Sequence, residues 1–404
     1  MATKSYKELL SGMQKSWSAP DLILSADAKP KPKIPFSSPQ LNYATYGGIP
    51  RSAITEFFGD PGGGKTSTAV DICKNARKIF VSEFEQKIDE LQTLFAKGNK
   101  TAGAELDDLQ EVGPKKIVYF DLEHTFDTTW SKKLGITPEI IDVLQPPDVS
   151  AEAILQALSE MVQTGEIGLI VLDSIPSLVS QKELDKKFGE ASVAPIAGLL
   201  TIFLRKIIPL LTRYDCTLLL INQLRDNLLN PYVKSRPGGK ALKFYDSLTI
   251  YFDIGDPIDF LGNTINKNVE NPAGNIITAK IIKQKSAPFD RKLASYYLLA
   301  QSGIRVDLDY CKLAIDKYGI IRQGGAWYTL CDPYTGEVLD SGDGKAVKIN
   351  GFPKVLEYMQ ANPEYYNKLK QYILDDIMGT KTEDSMLSDS NSNLDNLTFD
   401  ENIE

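Results

Sequence analysis

One nine-residue stretch limits the possible folds of this 404-residue chain more than any other. Gly59-Asp60-Pro61-Gly62-Gly63-Gly64-Lys65-Thr66-Ser67 comes straight after the apolar, β-prone run SAITEFFG (52–59) and opens a helical pattern over 66–80. It has the spacing GxxxxGK[ST] in the strand–loop–helix setting that gives the pattern its meaning. Glycines let backbone amides wrap a phosphate chain, and the helix N-terminus adds its positive end. Lys65 is placed to reach the outer phosphates, and Thr66 to bind Mg2+.

The rest of the chain supplies a sheet for such a loop. KIVYFD (116–121), IGLIVLD (167–173) and CTLLLIN (216–222) are short apolar runs, separated by helical patterns at 150–164 and 195–213. This alternation predicts an α/β fold with a twisted, mostly parallel sheet covered on both faces. SLTIYFDIG (247–255) and GNIITAKIIKQK (274–285) have no helix between them and predict a later, antiparallel part. Residues 81–113 are charged, helix-prone and far longer than a crossover needs. They read as an inserted helical hairpin, either structural decoration or a partner-docking element.

At the front, Tyr6, Leu9, Leu10, Met13 and Trp17 recur at helical spacing, ahead of the extended linker KPKPKIP (29–35). A short helix on such a linker is marginal alone, so it packs on its own core or on a neighbouring subunit. After about 304 the character changes, and FPKVLEYMQANPEYYNKLKQYILDDIM (352–378) is amphipathic helix broken at Asn362-Pro363. The organisation expected is an N-terminal arm and linker (1–35), a core (36–303), a small α+β C-terminal domain (304–381) and a tail (382–404).

Charge bears on partners. The net charge is −8, but Glu383, Asp384, Asp389, Asp395, Asp400, Glu401 and Glu404 carry seven of those negatives in the tail, leaving about −1 elsewhere. A nearly neutral body can carry a basic groove. The tail is then either a solubilising end or an acidic competitor for that groove. No run approaches the roughly 18 apolar residues of a membrane span, and the N-terminus lacks the apolar core of a signal peptide. Four widely spaced cysteines without a CxxC pair suggest reduced thiols in a cytosolic protein.

A Mg2+–phosphate site needs a second carboxylate at a neighbouring strand end, and IGLIVLD supplies Asp173, acting through water. The cluster Asp121, Glu123, His124 and Asp127, after KIVYF, is thereby free for other work. Glu123, just past the strand tip, could face the γ-phosphate and orient or deprotonate water. His124, the only histidine, has no second histidine or nearby cysteine to make a metal site.

With these residues placed, the chain resembles the RecA family of DNA strand-exchange ATPases over most of 36–380. The motifs are, in order, GDPGGGKT, FDLEHTFD followed by WSKKLGI, LIVLDSIPSL, LLLINQLR, PGGKALKFY, KQKSAPF and GGAWY. GGKALKFY (238–245) and KQK with GGAWY favour the bacterial type. The resemblance implies a P-loop core that binds ATP with Mg2+ and assembles with itself as a helical filament. It implies single-stranded and homologous double-stranded DNA as partners, with single-strand-binding and loader proteins as further ones. It implies Glu123 as the water-activating carboxylate, Asp127 and Trp130 as adenine contacts, and Gln223 as the γ-phosphate sensor. Lys283 and Lys285 resemble the basic pair that reaches a neighbour's ATP site. Phe244 resembles an interface aromatic, with plain core packing the alternative. Two segments match DNA-facing loops: 186–195, and 225–240 with Arg225, Lys234, Arg236, Gly238, Gly239 and Lys240. Arg205 lies on the helix between them.

The departures are Gly198 at a position basic in bacterial relatives, a slightly shorter second loop, the 81–113 segment and a divergent arm. They suggest a phage-encoded or otherwise divergent member, cytoplasmic, and in the host cytoplasm if phage-encoded. Two other readings stay in play: a hexameric helicase or motor on the same core, and a recombination mediator that binds ATP but turns over little.

Overall fold

The computed structural model describes residues 5–16, 32–187, 196–227, 230–239 and 241–379. The chain divides into two compact units, residues 1–32 and 33–404. In the first, α1 (Tyr6–Ser16) begins with a reciprocal cap. Ser5 N donates to Glu8 Oε2 (2.8 Å), and Glu8 N donates to Ser5 Oγ (3.3 Å). None of its residues is buried, and Tyr6 and Leu9 stand exposed.

The second unit starts with α2 (Pro39–Thr45), then β1 (Ile54–Gly59), α3 (Lys65–Ala96), α4 (Lys100–Val112) and β2 (Lys116–Asp121). There follow α5 (Thr128–Lys133), β3 (Asp142–Leu144), α6 (Ala151–Gln163), β4 (Ile167–Asp173), α7 (Gln181–Leu184), α8 (Ile196–Tyr214) and β5 (Thr217–Gln223). Next are β6 (Arg225–Asn227), β7 (Asn230–Ser235), α9 (Ala241–Tyr245), β8 (Leu248–Ile258), β9 (Gly274–Gln284), β10 (Leu293–Leu299) and β11 (Gly303–Ile304). The chain closes with α10 (Val306–Asp316), β12 (Ile321–Gly324), β13 (Trp327–Leu330), β14 (Lys348–Asn350), α11 (Phe352–Ala361) and α12 (Pro363–Met378).

Nine strands form one sheet in the order β11-β10-β9-β8-β1-β5-β4-β2-β3. The six from β8 to β3 are parallel, and β9, β10 and β11 are antiparallel. The switch falls after β8, which pairs parallel with β1 and antiparallel with β9. Side chains alternate across the pleat. Leu169, Val171, Leu219 and Ile221 face the α3 side with Ala69, Ile72 and Cys73. Ile170, Leu172, Leu218 and Leu220 face α6 and α8 with Leu158 and Leu204. Both faces are covered, which is why these strands read as unbroken apolar runs. A third apolar cluster joins Ile258, Tyr297 and Leu299 to Leu308, Leu313, Ile321, Val355, Leu369 and Ile373. The C-terminal elements thus share packing with the end of the large sheet.

Helix α3 runs on for 32 residues and turns back through α4, whose N-cap Asn99 accepts from Thr101 N (3.1 Å). The base of this hairpin is tied to the body by Arg51, which pairs with Glu83 and with Asp215 (2.8 Å) and lies over the Phe80 ring. Gly168 makes room for that ring, since a Cβ there would come 2.5 Å from it. Among the described residues, no helix is long and apolar enough to cross a membrane.

Candidate nucleotide and nucleic-acid site

Gly59 ends β1 with φ 152°, and a Cβ on it would stand 2.1 Å from the Phe252 carbonyl oxygen of β8. Only glycine lets the chain leave the sheet here. The loop 60–64 then feeds the N-terminus of α3, with Gly64 at the N-cap. Lys65 is buried, and its Nζ donates to Gly59 O (3.1 Å) and Asp60 O (2.7 Å). Burial holds this ammonium below its ordinary pKa, while the charges of Asp173, Asp60 and Glu123 pull the other way. A phosphate is a stronger acceptor for it than the loop's own carbonyls.

The parallel register brings the strand ends together, Gly59 opposite Gln223 and Asp121 opposite Asp173. Thr66 Oγ1 donates to Asp173 Oδ2 (2.9 Å), and the Tyr119 hydroxyl donates to the same oxygen (2.6 Å). Burial pushes the Asp173 carboxyl above its ordinary range, against those two hydrogen bonds. Asp121 holds the turn after β2, accepting from Thr125 N (3.3 Å), Phe126 N (2.9 Å) and Gln145 Nε2 (2.8 Å). That turn presents Glu123, whose Oε1 accepts from Gln223 Nε2 (2.6 Å) and from Ser174 Oγ. His124 is exposed in a left-handed conformation. Hydroxyl and carboxylate oxygens are the donors Mg2+ takes. Thr66 and Asp173, beside Lys65, therefore fit a Mg2+–polyphosphate.

Farther along, Asp127 caps α5, accepting from Thr129 N (2.7 Å) and Trp130 N (3.0 Å). Trp130 Nε1 donates to Ala300 O (3.0 Å), and Lys133 Nζ to Gln301 Oε1 (2.8 Å). Their neighbours Leu134 and Ser302 line a cavity of about 60 Å3 with Ser67. Lys283 bonds the carbonyls of Lys243 and Phe244 (3.2 Å to the latter), and Lys285 that of Phe244 (2.8 Å). The hydrogen-bond partners of this pair are thus on α9 and not in the P-loop. Phe244 itself is 70% exposed, so core packing does not explain it.

Of the residues expected to meet DNA, Arg205 and Arg225 are exposed, and Arg225 Nη2 reaches Pro176 O (3.3 Å). The segment 225–240, read as a DNA-facing loop, contains a β6–β7 hairpin. Residues 188–195, the Lys234 side chain and Lys240 lie outside the described residues. Gly238 (φ 94°) is buried, and Gly239 (φ 77°) is exposed. Arg236, read from sequence as a DNA contact, has an acidic partner within the chain. It is turned inward, bonding the fully buried Glu56 (2.6 Å) and lying 4.3 Å from the Phe58 ring centroid. A buried carboxylate demands a partner, and this guanidinium supplies it.

Glu56 also accepts from Asn222 Nδ2 (2.9 Å), which in turn donates to Pro237 O (3.0 Å). Asp246, likewise fully buried, has its pKa pushed up to about 9 by burial and then by Glu56. Reading the sequence passed over Tyr119, Ser174, Glu56, Asn222 and Asp246. The available signals were an acid inside the apolar ITEFFG, and a hydroxyl directly after LIVLD.

A strand–glycine loop–helix unit on a parallel sheet, with Lys65, Thr66 and a strand-end acid converging, defines a P-loop α/β protein. The model of the RecA N-terminal domain matches residues 96–305. Protein RecA of Chlorobaculum parvum is 30% identical over 353 residues, 87% of this chain and 85% of that protein. Protein RecA of Streptomyces rimosus is 29% identical over 355 residues, 87% and 79%. The chain belongs to the RecA family. Its glycine loop lies ahead of the segment that the family model matches.

Proposed function

We propose that this chain is an ATP-dependent recombinase. It forms filaments on single-stranded DNA, pairs them with homologous double-stranded DNA and exchanges strands, hydrolysing ATP to ADP and phosphate between subunits. The observation that carries this reading is the convergence of Lys65, Thr66, Asp173, Glu123 and Gln223 at the C-terminal ends of the central strands. Membership of the RecA family supports it independently.

Residues 59–67 and the start of α3 hold the phosphates. Thr66, and Asp173 through water, would hold Mg2+, which when bound draws charge from the phosphate oxygens. Among the described residues both hydrogen bonds to Glu123 end on Oε1, leaving Oε2 to take a proton from water. Gln223 ties Glu123 to β5, the strand that runs straight into the β6–β7 segment, and so couples hydrolysis to DNA contact. Asp127 orients α5, and the Trp130 ring is a flat surface for adenine.

Lys283 and Lys285 serve the site of the next copy, with exposed Phe244 in the same interface. Cations supplied in trans make hydrolysis depend on assembly. Arg205, Arg225, Lys234, Lys240 and the amides at Gly238 and Gly239 meet the DNA backbone, which suits sequence-independent binding. Residues 1–35 act as the polymerisation arm, 36–303 as the ATPase core and 304–381 as the C-terminal domain. The work is done in the cytoplasm, with single-strand-binding and loader proteins as helpers.

The test is ATPase with and without single-stranded DNA, followed by joint-molecule formation with homologous duplex. DNA-stimulated turnover with pairing is expected. Unwinding without homologous pairing would overturn the proposal.

A further inference from the structure

We infer that Tyr119 is a positioning residue for the metal-side carboxylate: its hydroxyl holds Asp173 Oδ2 and so orients the group that would hold Mg2+ through water. This rests on the reading of Asp173 given above and deepens it. Tyr119 is 1% exposed, two residues before the end of β2, with its ring 5.2 Å from that of Phe126. A phenol this deep needs an acceptor. The acceptor it takes is Asp173 Oδ2, the oxygen that Thr66 also bonds.

Two donors on one oxygen set the carboxylate plane, and among the described residues neither bonds Oδ1. Thr66 sits in the first turn of α3 and is exposed, whereas Tyr119 is buried on a strand flanked by β4 and β3. The sheet therefore carries the buried half of the clamp. Orienting partners of this kind commonly change metal affinity by roughly tenfold or more when removed.

The experiment titrates Mg2+ into the full chain with a fluorescent ADP analogue, without turnover, for wild type and Tyr119→Phe. The Mg2+ concentration at half-saturation should rise about tenfold, while analogue affinity in EDTA stays unchanged. In an Asp173→Asn background, Tyr119→Phe should add nothing. An unchanged half-saturation, equal losses with and without Mg2+, or full additivity with Asp173→Asn overturns the inference. Wild-type affinity that ignores Mg2+ overturns the reading of the site as well, which separates the two failures. Should Tyr119→Phe not fold, 3-fluorotyrosine placed at 119 alone decides by its 19F signal. A shift on adding Mg2+ to the nucleotide complex is expected, and an immobile signal overturns the inference.

Discussion

Glu123 shows how much chemistry can depend on which oxygen is occupied. With Ser174 and Gln223 both on Oε1, Glu123→Gln keeps the size of the side chain and removes its ability to accept a proton. DNA-stimulated ATPase should fall by roughly 10²- to 10⁴-fold, while nucleotide-dependent DNA binding, read by fluorescence anisotropy, persists. Asp246 makes a different prediction. Its folded pKa, about 9, lies far above the unfolded value near 3.9. Folding favours the protonated form, so the stability that Asp246 contributes is full below about pH 4 and lost as pH rises through its folded pKa. Asp246→Asn keeps a neutral donor beside Glu56. Its melting temperature should match wild type near pH 4 and exceed it increasingly toward pH 9, and parallel curves would refute a raised Asp246 pKa. Arg236 and Lys283 also face this group and pull its pKa down, which keeps the effect below that of an isolated buried acid.

At the scale of elements, the strands of the parallel core were legible because burial on both faces leaves a run of apolar residues with little else. The break at Asn362-Pro363 was legible for an equally local reason, since proline cannot continue α11 but can begin α12. The β6–β7 hairpin was not, because a pairing in a turn-rich segment has no strong local pattern. Nor was the inward turn of Arg236. A cation among glycines and prolines looks solvated until the acid that claims it is known, and Glu56 stands 180 residues away in sequence. Arg236→Ala should cost about 3–5 kcal/mol in urea unfolding by leaving Glu56 unpaired. Pairing it with Glu56→Gln should restore much of that loss. If Arg236 were a surface cation, the single change would be nearly silent.

For the molecule as a whole, the net charge of −8 is concentrated in one place, the segment 382–404. Removing 382–404 takes away seven acids and no base. Duplex DNA should then bind more tightly, with the gain largest at low salt, where screening is weakest. Equal affinities across the salt range would leave the tail no role as competitor.

Helix α3 links two distant places mechanically. Its first residue is Lys65 and its last, Ala96, adjoins the hairpin tip. At 1.5 Å per residue its 32 residues make a rod of about 48 Å. Its first turns are buried against the sheet and Arg51 holds Glu83, so only the stretch from Glu83 to Ala96, about 21 Å by the same rise, extends beyond that tie. The hairpin is thus an arm footed at Arg51 rather than at the glycine loop, a projection whose tip can carry a label without touching that loop.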